Sequence, residues 1–280
     1  MNAGQRLAIF GAVLATVFGV GIGAGAAFGP TPAVPEKIAP APIGEGVVAT
    51  KDGYRFVSGT TELAKAGDTF HFVIEGPDGS PVRHFDEIHE KLLHFILVNR
   101  ELTVFHHVHP TLGADGTWAI ALPALPAGSY RAVADFEVTN GPRLALGVDL
   151  SVAGEYIPTA LAEPHATSVV DGYEVTIGTD VRGGGEVKVA LTVRKDGQLV
   201  TDLQPYLGAS GHLVAMRSGD LAYAHVHPDD YVGGVVDFDA ELTAEGRYGL
   251  FFDFKHGDTV HTATFTFDQG HVTGAPSMDH

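Results

Sequence analysis

Beyond its first 46 residues the chain alternates short apolar runs with turn-forming dipeptides. Residues 55–57, 69–75, 93–98, 103–108, 131–138 and 144–152 are rich in Val, Ile, Phe and Leu. Asp-Gly, Asn-Gly and Pro-Ala-Gly sequences separate them, as between strands. No stretch of this region sustains a helical period over ten residues with caps. Runs of this length and spacing predict an antiparallel sandwich of about seven strands per 100 residues. The expected fold class is all-β. The start of the chain is patterned differently. Arg6 precedes an uncharged apolar stretch, residues 7–28, long enough to cross a bilayer as a helix.

That stretch makes residues 1–29 a predicted transmembrane helix. The lone basic residue ahead of it places the N-terminus inside and the rest outside. The expectation is a single-pass cell-membrane protein, attached through this helix, with the bulk of the chain extracytoplasmic. Ala24-Gly25-Ala26 resembles a cleavage site, so a cleaved and secreted form is the alternative. Residues 30–46 are proline-rich and read as an extended stalk.

The remainder is written twice. At a shift of 118 residues, Asp78-Gly79 falls on Asp196-Gly197 and His94 on His212. His107-Val108-His109-Pro110 falls on His225-Val226-His227-Pro228. Gly128, Tyr130, Asp135 and Phe136 fall on Gly246, Tyr248, Asp253 and Phe254. A shift of 119 aligns Asp52-Gly53-Tyr54 with Asp171-Gly172-Tyr173. An ordered set at a constant offset is an internal repeat. The copies run over residues 47–153 and 167–269, joined by a linker at 154–166 and followed by a flexible tail at 270–280. Gly-x-Tyr before an apolar run, at Tyr130 and Tyr248, resembles the tyrosine corner of immunoglobulin-like sandwiches. Two tandem sandwiches of that kind, each with its own core, are expected.

Histidine is the unusual residue, with 15 copies clustered along the chain. A two-residue turn between Arg100 and Glu101 would set His94 opposite His107. The same construction centres on Ser218 and Gly219 in the second copy. Opposed residues have Cβ atoms about 4.5–5.5 Å apart. His109 lies two positions beyond His107, on the same face and about 6.5–7 Å along the strand. The expectation is one site per repeat: His94, His107 and His109 in the first, His212, His225 and His227 in the second. Three imidazoles with room for a fourth ligand suit zinc or copper(II). A lone histidine is more often structural, and these rings would then hydrogen-bond the chain that Pro110 and Pro228 turn aside. His89, present in the first copy only, is an additional ligand candidate. Asp135 and Asp253, inside apolar strands, are candidates for ligands or for acceptors of a ligand's N–H.

Composition narrows the rest. The net charge of −17, from 34 acidic and 17 basic residues, leaves no basic face for nucleic acid. The absence of cysteine removes disulfides, thiolate sites and a blue-copper centre. Met216 and Met278 are the only methionines beyond Met1, so a methionine-rich copper(I) site is not available.

The runs HEKLLHFILVNRELTVFHHVHPTLGADGTW from His89 and QPYLGASGHLVAMRSGDLAYAHVHP from Gln204 resemble a family of exported actinobacterial proteins of unassigned function, labelled heavy-metal-binding or secreted. In outline the domains are similar to YtkA-like and CopC-like β-sandwiches. The second resemblance implies periplasmic copper handling, although the histidine at a mature N-terminus is missing here. The leading functional reading is metal binding outside the membrane. The alternative is an adhesion or assembly module docking on another envelope or membrane protein. No enzyme is expected: serine-nucleophile motifs and phosphate-cradling loops are absent, and Gly183–Gly185 has no lysine after it.

Overall fold

The apolar runs become strands throughout the residues that the computed structural model describes, namely 4–5, 9–13, 15–17, 44–224 and 226–270. In the first repeat these are β1 (Thr50–Lys51), β2 (Tyr54–Ser58), β3 (Glu62–Leu63), β4 (Thr69–Glu75), β5 (Phe85–Asp86), β6 (Leu93–Asn99), β7 (Phe105–Val108), β8 (Thr111–Leu112), β9 (Thr117–Ala121), β10 (Gly128–Val138) and β11 (Arg143–Val152). The second repeat holds β12 (Thr167–Val170), β13 (Tyr173–Val181), β14 (Glu186–Lys195), β15 (Gln198–Leu199), β16 (His212–Arg217), β17 (Tyr223–Ala224), β18 (Val226–Val232), β19 (Val235–Glu241), β20 (Gly246–His256) and β21 (Thr259–Gln269). Seven strands of the first and eight of the second exceed two residues, near the expected number.

Each repeat is two sheets. The first has the order β1-β2-β4-β9-β8 in one and β3-β11-β10-β6-β7 in the other, with β5 on β10. The second has β12-β13-β14-β19-β18, with β15 on β14, and β17-β16-β20-β21. Leaving out the short β3, β5 and β15, the two topologies coincide. So does the register that matters below: His94 is opposite Asp135, and His212 opposite Asp253. Tyr130 Oη donates to Pro126 O at 2.7 Å and Tyr248 Oη to Ala244 O at 2.8 Å. These are two tyrosine corners, and the chain is an all-β protein of immunoglobulin-like sandwiches.

The first core gathers Phe72, Phe95, Trp118 and Phe136, and the second Phe238, Phe252 and Phe254. Each repeat has its own core, and a third cluster, which the sequence did not suggest, joins the two. Ile96, Val98, Leu102, Val133 and Ala145 of the first repeat pack with Val214, Met216, Leu221 and Phe251 of the second. Phe105 stacks on Phe251 at 4.1 Å. Successive side chains of a strand leave on opposite faces. On β6, Phe95 and Leu97 therefore enter the first core, while His94, Ile96 and Val98 face the other repeat. β16 does the same with Leu213 and Ala215 against His212, Val214 and Met216. Every residue of β6 is buried. Burying a large apolar side chain stabilises by about 1.5–3 kcal/mol, so this cluster holds the repeats docked without further help. Both belong to one compact unit, Ile43–His280.

The segment ahead of β1 laces the same junction. Gly46 N donates to Ala145 O, Gly147 N to Val48 O, and Tyr223 N to Glu45 O. Arg131 Nη1 donates to the carbonyls of Gly46 and Val47. This approach needs Gly147, where a Cβ would lie 1.8 Å from Gly46 O. Gly147→Val should expel the segment. The expected loss is roughly 3 kcal/mol, or about 6–12 °C in Tm, read by calorimetry. An unchanged Tm would mean that the lacing adds nothing to stability.

Near the N-terminus the described residues 4–5, 9–13 and 15–17 are helical. Most of the apolar stretch, the stalk up to residue 43 and the tail from 271 lie outside the described residues. Among those described, no helix is long and apolar enough to cross a membrane.

Candidate metal centre

The hairpin that carries the first three histidines closes with a longer turn than the sequence suggested. Asn99 N donates to Val104 O, and Leu102 takes a positive φ of 57° between them. The cause is Asn99: its Oδ1 accepts from the amides of both Thr103 and Val104 at 2.8 Å, fixing a four-residue loop. His107 is therefore opposite Ile96, not His94. The slip is two residues. A slip of one would turn every side chain to the other face, whereas two restore it. His94, His107 and His109 consequently still share one face. The second hairpin shows the same slip, with Ala215 opposite Ala224 and Met216 opposite Tyr223.

The shared face is the one turned toward the other repeat, and there the imidazoles meet. His94 Nδ1 lies 3.0 Å from His107 Nε2 and 3.2 Å from His109 Nε2. A ring nitrogen from each of His94, His107 and His212 lies within 4.8 Å of the others. His89 stands against His212 and His94, with ring centroids 4.9 and 5.9 Å away.

The expected partition into one site per repeat is thereby corrected. His212 joins the histidines of the first repeat. His227 does not follow it: it is exposed on β18, opposite Asp239, in the other sheet of its sandwich. β18 is already paired with β19 from Val226 onward, which carries His227 away from β16. His225 lies outside the described residues. Asp135 is also not at the centre. Arg143 Nη2 donates to it at 3.1 Å and Tyr223 Oη, from the second repeat, at 3.2 Å. Asp253 is placed as an orienting acceptor. It receives Thr262 Oγ1–H at 2.5 Å and pairs with His107 Nδ1 at 3.1 Å.

Hydrogen bookkeeping shows what the cluster lacks. A carbonyl can only accept, so at 2.8 Å His94 Nε2 must donate to Ile88 O. That leaves His94 Nδ1 with a lone pair. His107 gives its Nδ1–H to the Asp253 carboxylate, and its Nε2 likewise carries a lone pair. One hydrogen can serve only one of the two contacts made by His94 Nδ1. In the neutral cluster, therefore, His94 and His107 oppose lone pair to lone pair at 3.0 Å. His212 Nδ1 is buried with no hydrogen-bond partner among the described residues. A single proton relieves one contact, and a metal ion between His94 Nδ1 and His107 Nε2 would accept both of their lone pairs. Bonds of 2.0–2.1 Å in a tetrahedral site hold nitrogens about 3.3 Å apart, close to the spacings around His94.

Burial keeps His94, His109 and His212 neutral and ready to ligate. It lowers the pKa of His94 to about 4, with help from His107. Burial and the charges of His107, His94 and Lys91 take His109 to about 3. Burial and the surrounding histidines take His212 to about 2. Burial and the Asp253 carboxylate push Tyr206 up to about 12. The convergence across repeats was not anticipated, although the sequence held a signal. The run from Leu93 to Val98 is apolar on both parities apart from His94, the mark of a strand covered on both faces.

A family model described only as a domain of unknown function, DUF8832, matches residues 167–271, which is the second repeat. No curated protein matches the chain in sequence. Among solved structures, a chimeric titin Z1Z2 tandem is 12% identical, with a TM-score of 0.21, over 76% of this chain and 97% of its own. Bovine butyrophilin is 8% identical, with a TM-score of 0.22, over 78% and 99%. Domains 5–6 of the S-layer protein SbsC are 11% identical, with a TM-score of 0.23, over 77% and 97%.

Proposed function

We propose that this chain is a metal-binding protein of the outer face of the membrane, held there by its N-terminal apolar segment, and that it carries copper(II) or zinc on His94, His107 and His109. The observation that carries the reading is the opposition of His94 Nδ1 and His107 Nε2 at 3.0 Å, with the hydrogens of both rings engaged elsewhere. Neutral imidazole donors without thiolate or thioether favour borderline divalent ions. Asp253 behind His107 supplies the carboxylate–histidine–metal arrangement that fixes a ligand's tautomer and raises its basicity.

The reading supports carriage of an ion more than catalysis. The ligand face is covered by the second repeat, whereas a catalytic ion keeps a position open to substrate. Elemental analysis of untagged protein, followed by titration with Cu(II) and Zn(II), tests the proposal. Tight binding by the untagged chain is expected. Protein that retains neither ion against a weak chelator would leave the docking module as the better account.

A further inference from the structure

The centre is divided between the repeats, and that division bears on how an ion is exchanged. We infer that one ion is held across the interface, with His212 of the second repeat joining His94 and His107 of the first, and that the docking of the repeats gates its exchange. This inference rests on the metal reading above.

Three observations carry it. The nitrogens that come within 4.8 Å of one another belong to both repeats. His212 brings a buried nitrogen, Nδ1, that has no partner among the described residues. The acceptor that orients His107 of the first repeat is Asp253 of the second. The cross-repeat packing also seals these groups. His94 is 2% exposed, and the side chains of His107 and Asp253 are 1% and 4% exposed. On β6 the positions 94, 96 and 98 share a face, as do 212, 214 and 216 on β16. The histidines thus extend the stripes of Ile96–Val98 and Val214–Met216 that form the apolar interface. An ion reaching His94, His107 and His212 requires the two repeats to part along that interface. Once bound, it ties the two stripes together.

The chain contains no cysteine, so the interface can be locked cleanly. A Cβ on Gly249 of β20 would lie 3.3 Å from Leu102 Cβ of the first repeat, near the separation of about 3.5–4.5 Å that a disulfide spans. The full chain carrying Leu102→Cys and Gly249→Cys is loaded with Cu(II) or Zn(II). Release to an excess of chelator is then followed with the staple oxidised and reduced. Release should be at least about tenfold slower when oxidised, because the staple, at the other end of the same stripes, keeps the repeats from separating. In the same assay the unmodified chain should bind one equivalent. His212→Ala should weaken binding well beyond the 10- to 100-fold that loss of an orienting group costs, and His227→Ala should leave it unchanged. Four nitrogen couplings in the Cu(II) spectrum, reduced by one in His212→Ala, would support the bridging ligand directly.

Equal release rates in the two redox states would overturn the gate. Two tight equivalents, or unchanged affinity in His212→Ala, would overturn the bridge and leave the metal reading standing. No binding by the unmodified chain would overturn both. If the staple does not close, stoichiometry and His212→Ala still decide.

Discussion

Replacing His107 by alanine is expected to remove tight ion binding from the whole chain, not from one repeat of it. His107 Nε2 faces His94 Nδ1 at 3.0 Å, and its ring also connects the first repeat to Asp253 of the second. Without it the pair of opposed nitrogens is gone, and His212 is left with a truncated set. The exposed His227, in the other sheet of its sandwich, cannot rebuild a site around His212. Competition titration against a chromophoric chelator should show a loss well beyond the 10- to 100-fold typical of an orienting group. Asp253→Asn should fall inside that range, since the ligand stays and only its tautomer and orientation loosen. A second site of undiminished affinity in His107→Ala would mean that the second repeat binds independently.

The protein without metal is expected to lose stability steeply below pH 6.5. Free histidine has a pKa near 6.5, and in the folded chain His94, His109 and His212 are lowered to about 4, 3 and 2. Each folded pKa lies below its unfolded value, so between them the unfolded chain binds protons that the folded chain refuses. Stability is therefore full above about pH 6.5 and declines as the pH falls. One proton's difference corresponds to about 1.4 kcal/mol per pH unit, and three histidines share the effect. His107 faces the same rings, His89 and Lys91 stand nearby, and Asp135 opposes the trend at His94. Urea unfolding between pH 7.5 and 4.5 should show a slope greater than one proton, which His212→Gln should reduce. An ion would add to the slope, since protonated imidazole cannot ligate. A flat profile to pH 5 would mean that the rings are solvated and the cluster is not closed.

Much of this protein is legible along the chain. Turn dipeptides between short apolar runs specify strands because the two backbone requirements are local. A constant offset of 118 residues specifies duplication, and the duplicated topology and tyrosine corners follow from it. That His94, His107 and His109 share a face was also readable, because the period of a strand is two and survived the slip. The slip itself was not. It depends on how the Asn99 amide oxygen collects two backbone amides, a preference that competes with any two-residue turn.

What the chain does not contain in linear form is the partner of each exposed face. Arithmetic on positions placed His212 with His225 and His227, since pairing within one hairpin is the only neighbourhood a sequence pattern describes. The folded molecule sets His212 against His94 and His107 instead. Burial of Ile96, Val98, Val214, Met216 and Phe251 drives the repeats together, and the histidines at the ends of the same stripes are carried along. Strand period determined which side chains would lie on one face. The free energy of covering two apolar faces at once decided that His212 would join the histidines of the first repeat.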